Sequence, residues 1–135
     1  MRQFITAGLL LSFCFFATEN IFAQAPDIDS LISQLNSGNE DKQALAAHQL
    51  GELGPTARSA VPALITVVKS GSVASRSEAI IALGKMGPDA AAAVPELTKI
   101  LRGYSIILKY NALQALRQIG PASQPAIKQI VPLME

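Results

Sequence analysis

The sequence predicts an all-α chain, an α-solenoid of antiparallel helix pairs, and three observations carry that prediction. The tripeptides Leu53-Gly54-Pro55, Met86-Gly87-Pro88 and Ile119-Gly120-Pro121 recur with a spacing of 33 residues. Blocks 28–60, 61–93 and 94–126 superimpose without a gap, so that Leu31, Leu64 and Leu97 coincide, as do Leu35, Val68 and Leu101. In the second half of each block the apolar positions fall at i, i+1, i+4 and i+7, as in Ala46, Ala47, Leu50 and Leu53. That is the stripe of a helix and not the alternation of a strand. A fixed period of this length means units that bury their apolar faces only against their neighbours.

The chain opens outside this pattern. Arg2 precedes a mostly apolar run over residues 4–17, followed by Thr18-Glu19-Asn20 and then by Ala23-Gln24-Ala25. This is the layout of a secretory signal peptide, with a run short for a membrane span. Cleavage is expected after Ala23, because Pro26 would stand just past a cut after Ala25; an uncleaved anchor is the alternative. Residues 1–23 are therefore read as signal peptide and 24–135 as the repeat domain. The chain is expected to be exported, periplasmic or extracellular, with no stable membrane insertion after cleavage.

Cleavage changes the chemistry available. All five Phe residues and Cys14, the single cysteine, leave with the signal. What remains has Tyr104 and Tyr110 as its aromatics and no thiol for a disulfide, a metal or a nucleophile. Losing Arg2 and Glu19 leaves the formal charge at +1, which argues against a nucleic-acid partner.

Each unit reads as two helices. The first begins near Pro62 or Pro95, since proline suits a first turn whose amide has no acceptor. Gly38 and Gly71 separate the helices of the first two units, with Asn39 and Ser72 placed to cap the second helix. Ala46, Ala79 and Ala112 form a column of small residues where helices approach closely. Gly54, Gly87 and Gly120 are free to adopt a left-handed geometry at the end of each second helix, and the following proline stops it sharply.

These residues carry a family resemblance. The pattern Ala-Val-Pro-x-Leu, then Ala-x-x-x-Leu-Gly-x-Met-Gly-Pro, resembles HEAT repeats of the short bacterial kind, grouped with phycobilisome-lyase HEAT-like repeats. Ankyrin units share the period, but their Thr-Pro-Leu-His signature is absent, and tetratricopeptide units lack the Gly-Pro ending. The family's Val-Arg pair early in the second helix is matched by Arg76 and Lys109, while Gln43 departs from it.

No catalytic constellation emerges. His48 is the single histidine and falls on the polar side of its helix, so it reads as a solvated residue. HEAT-like deoxyhypusine hydroxylases hold two irons through repeated His-Glu pairs; here Gln49 follows His48, and that activity does not carry over. The pairs Asp27/Asp29 and Glu40/Asp41 lie at expected helix N-termini, where carboxylates favour the positive end of the helix dipole. No metal, cofactor or catalytic residue is assigned, and no phosphate loop or nucleophile elbow appears. HEAT-like DNA glycosylases use aromatic residues on a basic face, which a chain without Trp and near neutrality does not offer. Bilin lyases act in the cytoplasm, which an export signal argues against.

What remains is surface. In HEAT arrays the second helices line the concave side, so the resemblance places a protein-binding face on three columns. They are Leu45/Glu78/Asn111, His48/Ile81/Gln114 and Glu52/Lys85/Gln118. Their mixture of charges, amides and aliphatic groups suits a protein or peptide partner.

The third unit departs from this plan. Where the second reads Gly71-Ser72-Val73-Ala74-Ser75-Arg76-Ser77, the third reads Tyr104-Ser105-Ile106-Ile107-Leu108-Lys109-Tyr110. Ile106, Ile107, Leu108 and Tyr110 form an apolar contact patch on one reading. On the other, Ile106 or Tyr110 folds beneath the C-terminal segment. Residues 127–135 resemble the opening of a fourth unit that lacks its second helix, so self-association or docking through 106–110 and 127–134 is expected.

The function expected is thus an exported, non-catalytic HEAT-repeat scaffold that binds another protein, a peptide or itself. Two alternatives stand beside it. One is an accessory protein of lyase-like or oxidoreductase-family type that holds a substrate protein; the other is a remnant of a longer array.

Overall fold

The computed structural model describes residues 26–130 and residue 132. The expected signal segment 1–23 lies outside the described residues, as do 131 and 133–135 of the partial fourth unit. Seven α-helices follow one another among the described residues: α1 (Ile28–Leu35), α2 (Glu40–Leu53), α3 (Val61–Ser70), α4 (Val73–Met86), α5 (Val94–Leu101), α6 (Ile106–Ile119) and α7 (Gln124–Ile130). The 3₁₀ turns Gly54–Ala60, Gly87–Ala93 and Gly120–Ser123 join one unit to the next.

The pattern forms two layers. First helices α1, α3, α5 and α7 make one, and second helices α2, α4 and α6 make the other. Between them the aligned columns are buried: Leu31, Leu64 and Leu97 with Leu50, Leu83 and Leu116 and the Ala46/Ala79/Ala112 set. Each fully buried leucine contributes on the order of 2 kcal/mol through removal of apolar area from water. The second helices lie in extensive contact with one another, whereas α1, α3 and α5 meet at only a few points.

The boundaries follow from local chemistry. Asn39 accepts from the Lys42 amide at 3.0 Å, Ser72 from Ser75 at 3.3 Å and Ser105 from Leu108 at 3.4 Å, so one polar residue caps each second helix. Asp27 caps α1, Asp29 lies in its first turn, and Glu40 and Asp41 occupy the first turn of α2. Pro62, Pro95 and Pro125 each take the second position of their helix, where no backbone donor is required. In the third case this starts α7 at Gln124, ahead of the opening at Ile127 that the repeat register implies.

The Gly-Pro ends differ in detail from expectation. Gly54, Gly87 and Gly120 have the positive φ anticipated, at 57°, 63° and 81°, but ψ near −136° instead of the left-handed helical value. The proline that follows disfavours helical ψ in the residue before it, which drives each glycine to the extended mirror-image region open only to Gly. Nor does the chain break off there, because each turn runs straight into the next first helix.

Candidate protein-binding face

The spacing of the second helices is set by glycine. A Cβ added at Gly51 would stand 3.1 Å from the Cα of Ala82, and one at Gly84 would stand 3.0 Å from the Cα of Ala115. Each is a notch into which the next helix settles, at positions one repeat apart. The expectation placed the close approach at the Ala46 column alone. The Gly-to-Ala pairs were equally visible as a 33-residue recurrence inside helices, where glycine otherwise costs about 1 kcal/mol.

All nine column residues reach solvent, five of them exposed (Leu45, His48, Glu52, Lys85, Gln118) and four half-buried (Glu78, Ile81, Asn111, Gln114). Close packing lets several of them bond across unit boundaries. His48 Nδ1 lies 3.2 Å from Glu78 Oε2, joining the first unit to the second. Lys85 Nζ donates to Glu52 Oε1 across the same junction. Asn111 donates to the Ser77 hydroxyl at 2.7 Å across the next. Gln114 instead bonds within its helix, to the Tyr110 hydroxyl at 3.3 Å. The Lys85 hydrogen bond, seconded by its positive charge, holds the Glu52 carboxyl below its ordinary value.

Three further ties lie beneath this ridge. Buried Ser75 on α4 donates to the Glu40 carbonyl of α2 at 3.0 Å. Gln43 and Arg76 stand at one repeat position and make one bond: Gln43 Nε2 reaches Leu35 O at 2.9 Å, and Arg76 Nε reaches Val68 O at 2.8 Å. Both satisfy a carbonyl at the end of the first helix of the same unit, which a helix leaves without an intrahelical partner. The departure of Gln43 from the Val-Arg pattern is thus one of residue type and not of role.

The apolar patch of the third unit needs one correction. Ile106, Ile107 and Tyr110 are exposed, as is Tyr104 beside them, but Leu108 is only 3% exposed and belongs to the core. It sits one repeat after buried Ser75 and points inward with it, as the phase of the helix demands. Ile106 and Tyr110 are 82% and 62% exposed, so no described residue of the C-terminal segment folds over them. Leu113 joins them at 39%, although the residues one and two units earlier, Ile80 and Ala47, are wholly buried.

Among the described residues no group of three or more His, Cys, Asp or Glu side chains is arranged to hold a metal ion. No helix there is long and apolar enough to cross a membrane. The arrangement offers a ridge of mixed polar and aliphatic groups, which suits recognition of another chain. A search of the curated proteins returns no match. The family model for HEAT repeats matches residues 28–117, which covers both internal junctions and all three second helices nearly to their ends. By that match and by its two-layer helical stack, this chain belongs to the HEAT repeat family.

Proposed function

We propose that the chain is an exported, non-catalytic HEAT-repeat scaffold that binds a protein or peptide through the concave face of its second helices. HEAT repeats serve in general as protein-interaction scaffolds. The observation that carries the reading here is the ridge of α2, α4 and α6. Glycine notches and cross-unit bonds hold its helices together, while Leu45 and Gln118 stay exposed and Ile81 half-exposed. A frame already ordered in this way spends little backbone freedom when it binds. Near-neutral charge favours a protein over a polyanion, and the layout of residues 1–23 favours export.

The test is cross-linking affinity capture of the chain from the exported fraction of its own host, read by mass spectrometry. One partner is expected, and its recovery is lost when Glu78 and Lys85 are reversed in charge. Recovery of the chain's own peptides alone, linked near Lys109 and Lys128, would reject the reading. Sequencing of the exported chain is expected to start at Gln24; a chain that stays in the cytoplasm with Met1 intact would reject export.

A further inference from the structure

The three second helices are not finished alike. Gly51 of α2 receives Ala82 of α4, and Gly84 of α4 receives Ala115 of α6. At the next recurrence of that position α6 carries Arg117, which is exposed. Tyr110 stands where α4 has Ser77, and Leu113 where it has buried Ile80. Ile106, Tyr110, Leu113 and Arg117 are spaced i, i+4, i+7 and i+11, so they share one stripe of α6. Beside that stripe runs a groove of about 550 Å³, with Leu113, Leu116 and Arg117 of α6 on one side and Ile127 of α7 on the other. In the two earlier units the equivalent surface is covered by the next second helix. The shape that fits here is therefore a helix.

Charge selects which helix. The charged side chain that lines the groove is Arg117, and no carboxylate lines it. Two copies meeting face to face would set Arg117 against Arg117. Two copies stacked head to tail would set Arg117 against Gln49, which holds the position of Ala82 and Ala115 in the first unit. Those are two long side chains at the point where the internal junctions leave no room for a Cβ. A second copy is thus a poor occupant in either direction.

We infer that the open face of α6, with the groove beside it, binds an acidic amphipathic helix of another protein. The helix lays small and aliphatic residues on Ile106, Tyr110 and Leu113 and places a carboxylate against Arg117. The apolar stripe supplies buried area, and the guanidinium sets the sign of the partner and its register. This site lies on the outer face of α6 among the described residues and does not depend on the ridge formed by Leu45, Ile81 and Lys85.

The test is fluorescence anisotropy of a labelled peptide of about four helical turns, with Leu and Ala on one face and Glu on its flanks. It is titrated with the full chain, beside a twin bearing Lys for every Glu. The acidic peptide is expected to bind at least about tenfold tighter than its twin, with the gap narrowing as salt is added. Arg117→Glu is expected to reverse the order. Leu113→Glu should abolish binding of both peptides with the helical content unchanged. Should that variant unfold, Tyr110→Ser, which installs the residue of the second unit, is expected to weaken the acidic peptide at least about threefold. Equal binding of the two peptides, or binding of neither, overturns the inference. So does tighter binding to vesicles of equal phosphatidylglycerol and phosphatidylcholine than to the acidic peptide. Sedimentation of the chain alone as an oligomer that Arg117→Glu dissolves would overturn it in favour of a second copy.

Discussion

At the junction of α4 with α6, Gly84 admits Ala115 so closely that a Cβ would stand 3.0 Å from the Cα opposite; one repeat later, on the far side of α6, Arg117 is exposed. The two regions occupy the same positions of the same pattern. In one, the sequence removes a side chain so that the chain can cover itself. In the other it adds a long charged one, leaves Leu113 partly open, and replaces Ser with Tyr110. The contrast teaches that a repeat pattern fixes where a surface lies, while the residue at the notch decides whether another helix of the chain can close over it.

The strongest way to break the comparison is to move one region's residue into the other. Gly84→Arg places a side chain where Ala115 and the Gln118 side chain already stand, with the latter 2.6 Å from the added Cβ. Overpacking of this kind against backbone is expected to cost about 3 kcal/mol or more, lowering the thermal midpoint sharply. The reciprocal Arg117→Gly removes a solvated side chain and is expected to cost no more than about 1 kcal/mol, the helix penalty of glycine. Circular dichroism melts of the two variants check the pair. Equal effects would mean that the notch does not set the spacing of the second helices.

Leu108 sharpens the same boundary from the inside. It is buried next to exposed Ile107, so the core and the surface of the third unit are separated by a single residue. Leu108→Ala is expected to cost about 2–4 kcal/mol, and Ile107→Ala within about 0.5 kcal/mol, by denaturant unfolding.

Much of the fold was legible because a 33-residue recurrence states the helical phase three times over. The columns at Leu31, Ala46 and Leu50 bury as their spacing requires, and the caps at Asn39 and Ser72 are where the Gly breaks placed them. Leu108 stands in a cluster of apolar letters that reads as surface, yet it is buried. Applying the phase of Ser75 to it would have turned it inward. The ψ of the Gly-Pro glycines depends on a local steric effect of the proline, which a pattern of helix ends does not express. Two of the cross-unit bonds were hidden for another reason. His48 and Glu78 lie 30 residues apart and Ser77 and Asn111 lie 34 apart, so neither pair falls in one column of the alignment. Such contacts follow from the stagger of neighbouring helices, which becomes known only when the notches are seated.

A smaller test compares the caps of the first and third units. Asn39 accepts at 3.0 Å, whereas Ser105 accepts at 3.4 Å, at the long end of a useful bond. Asn39→Ala is expected to cost about 1 kcal/mol and Ser105→Ala a fraction of that. Amide exchange in the first turns of α2 and α6 checks it, and the third unit is expected to show the looser helix start in the parent chain.

The smallest effect lies at the junction of the first two units, where Glu52 and Lys85 meet in the open. The Lys85 hydrogen bond and charge lower the Glu52 pKa from the ordinary 4.5, so the ionised carboxylate is favoured in the folded chain. A lowered folded value means that the contribution to stability is fully present above the unfolded pKa and is lost as pH falls through the folded one. Glu52→Gln should therefore lower the thermal midpoint slightly at neutral pH. The difference from the parent should stay constant down to about pH 5 and close at lower pH, as the parent's carboxyl takes up its proton. Because both partners are exposed, added salt should shrink the neutral-pH difference as well. A difference that persisted in acid and in salt would mean that Glu52 acts through packing of its stem on the ridge and not through Lys85. The open end of α6 offers the control: Gln118, one repeat after Lys85, has an amide in place of the cation, and Gln118→Ala should show no such dependence on pH.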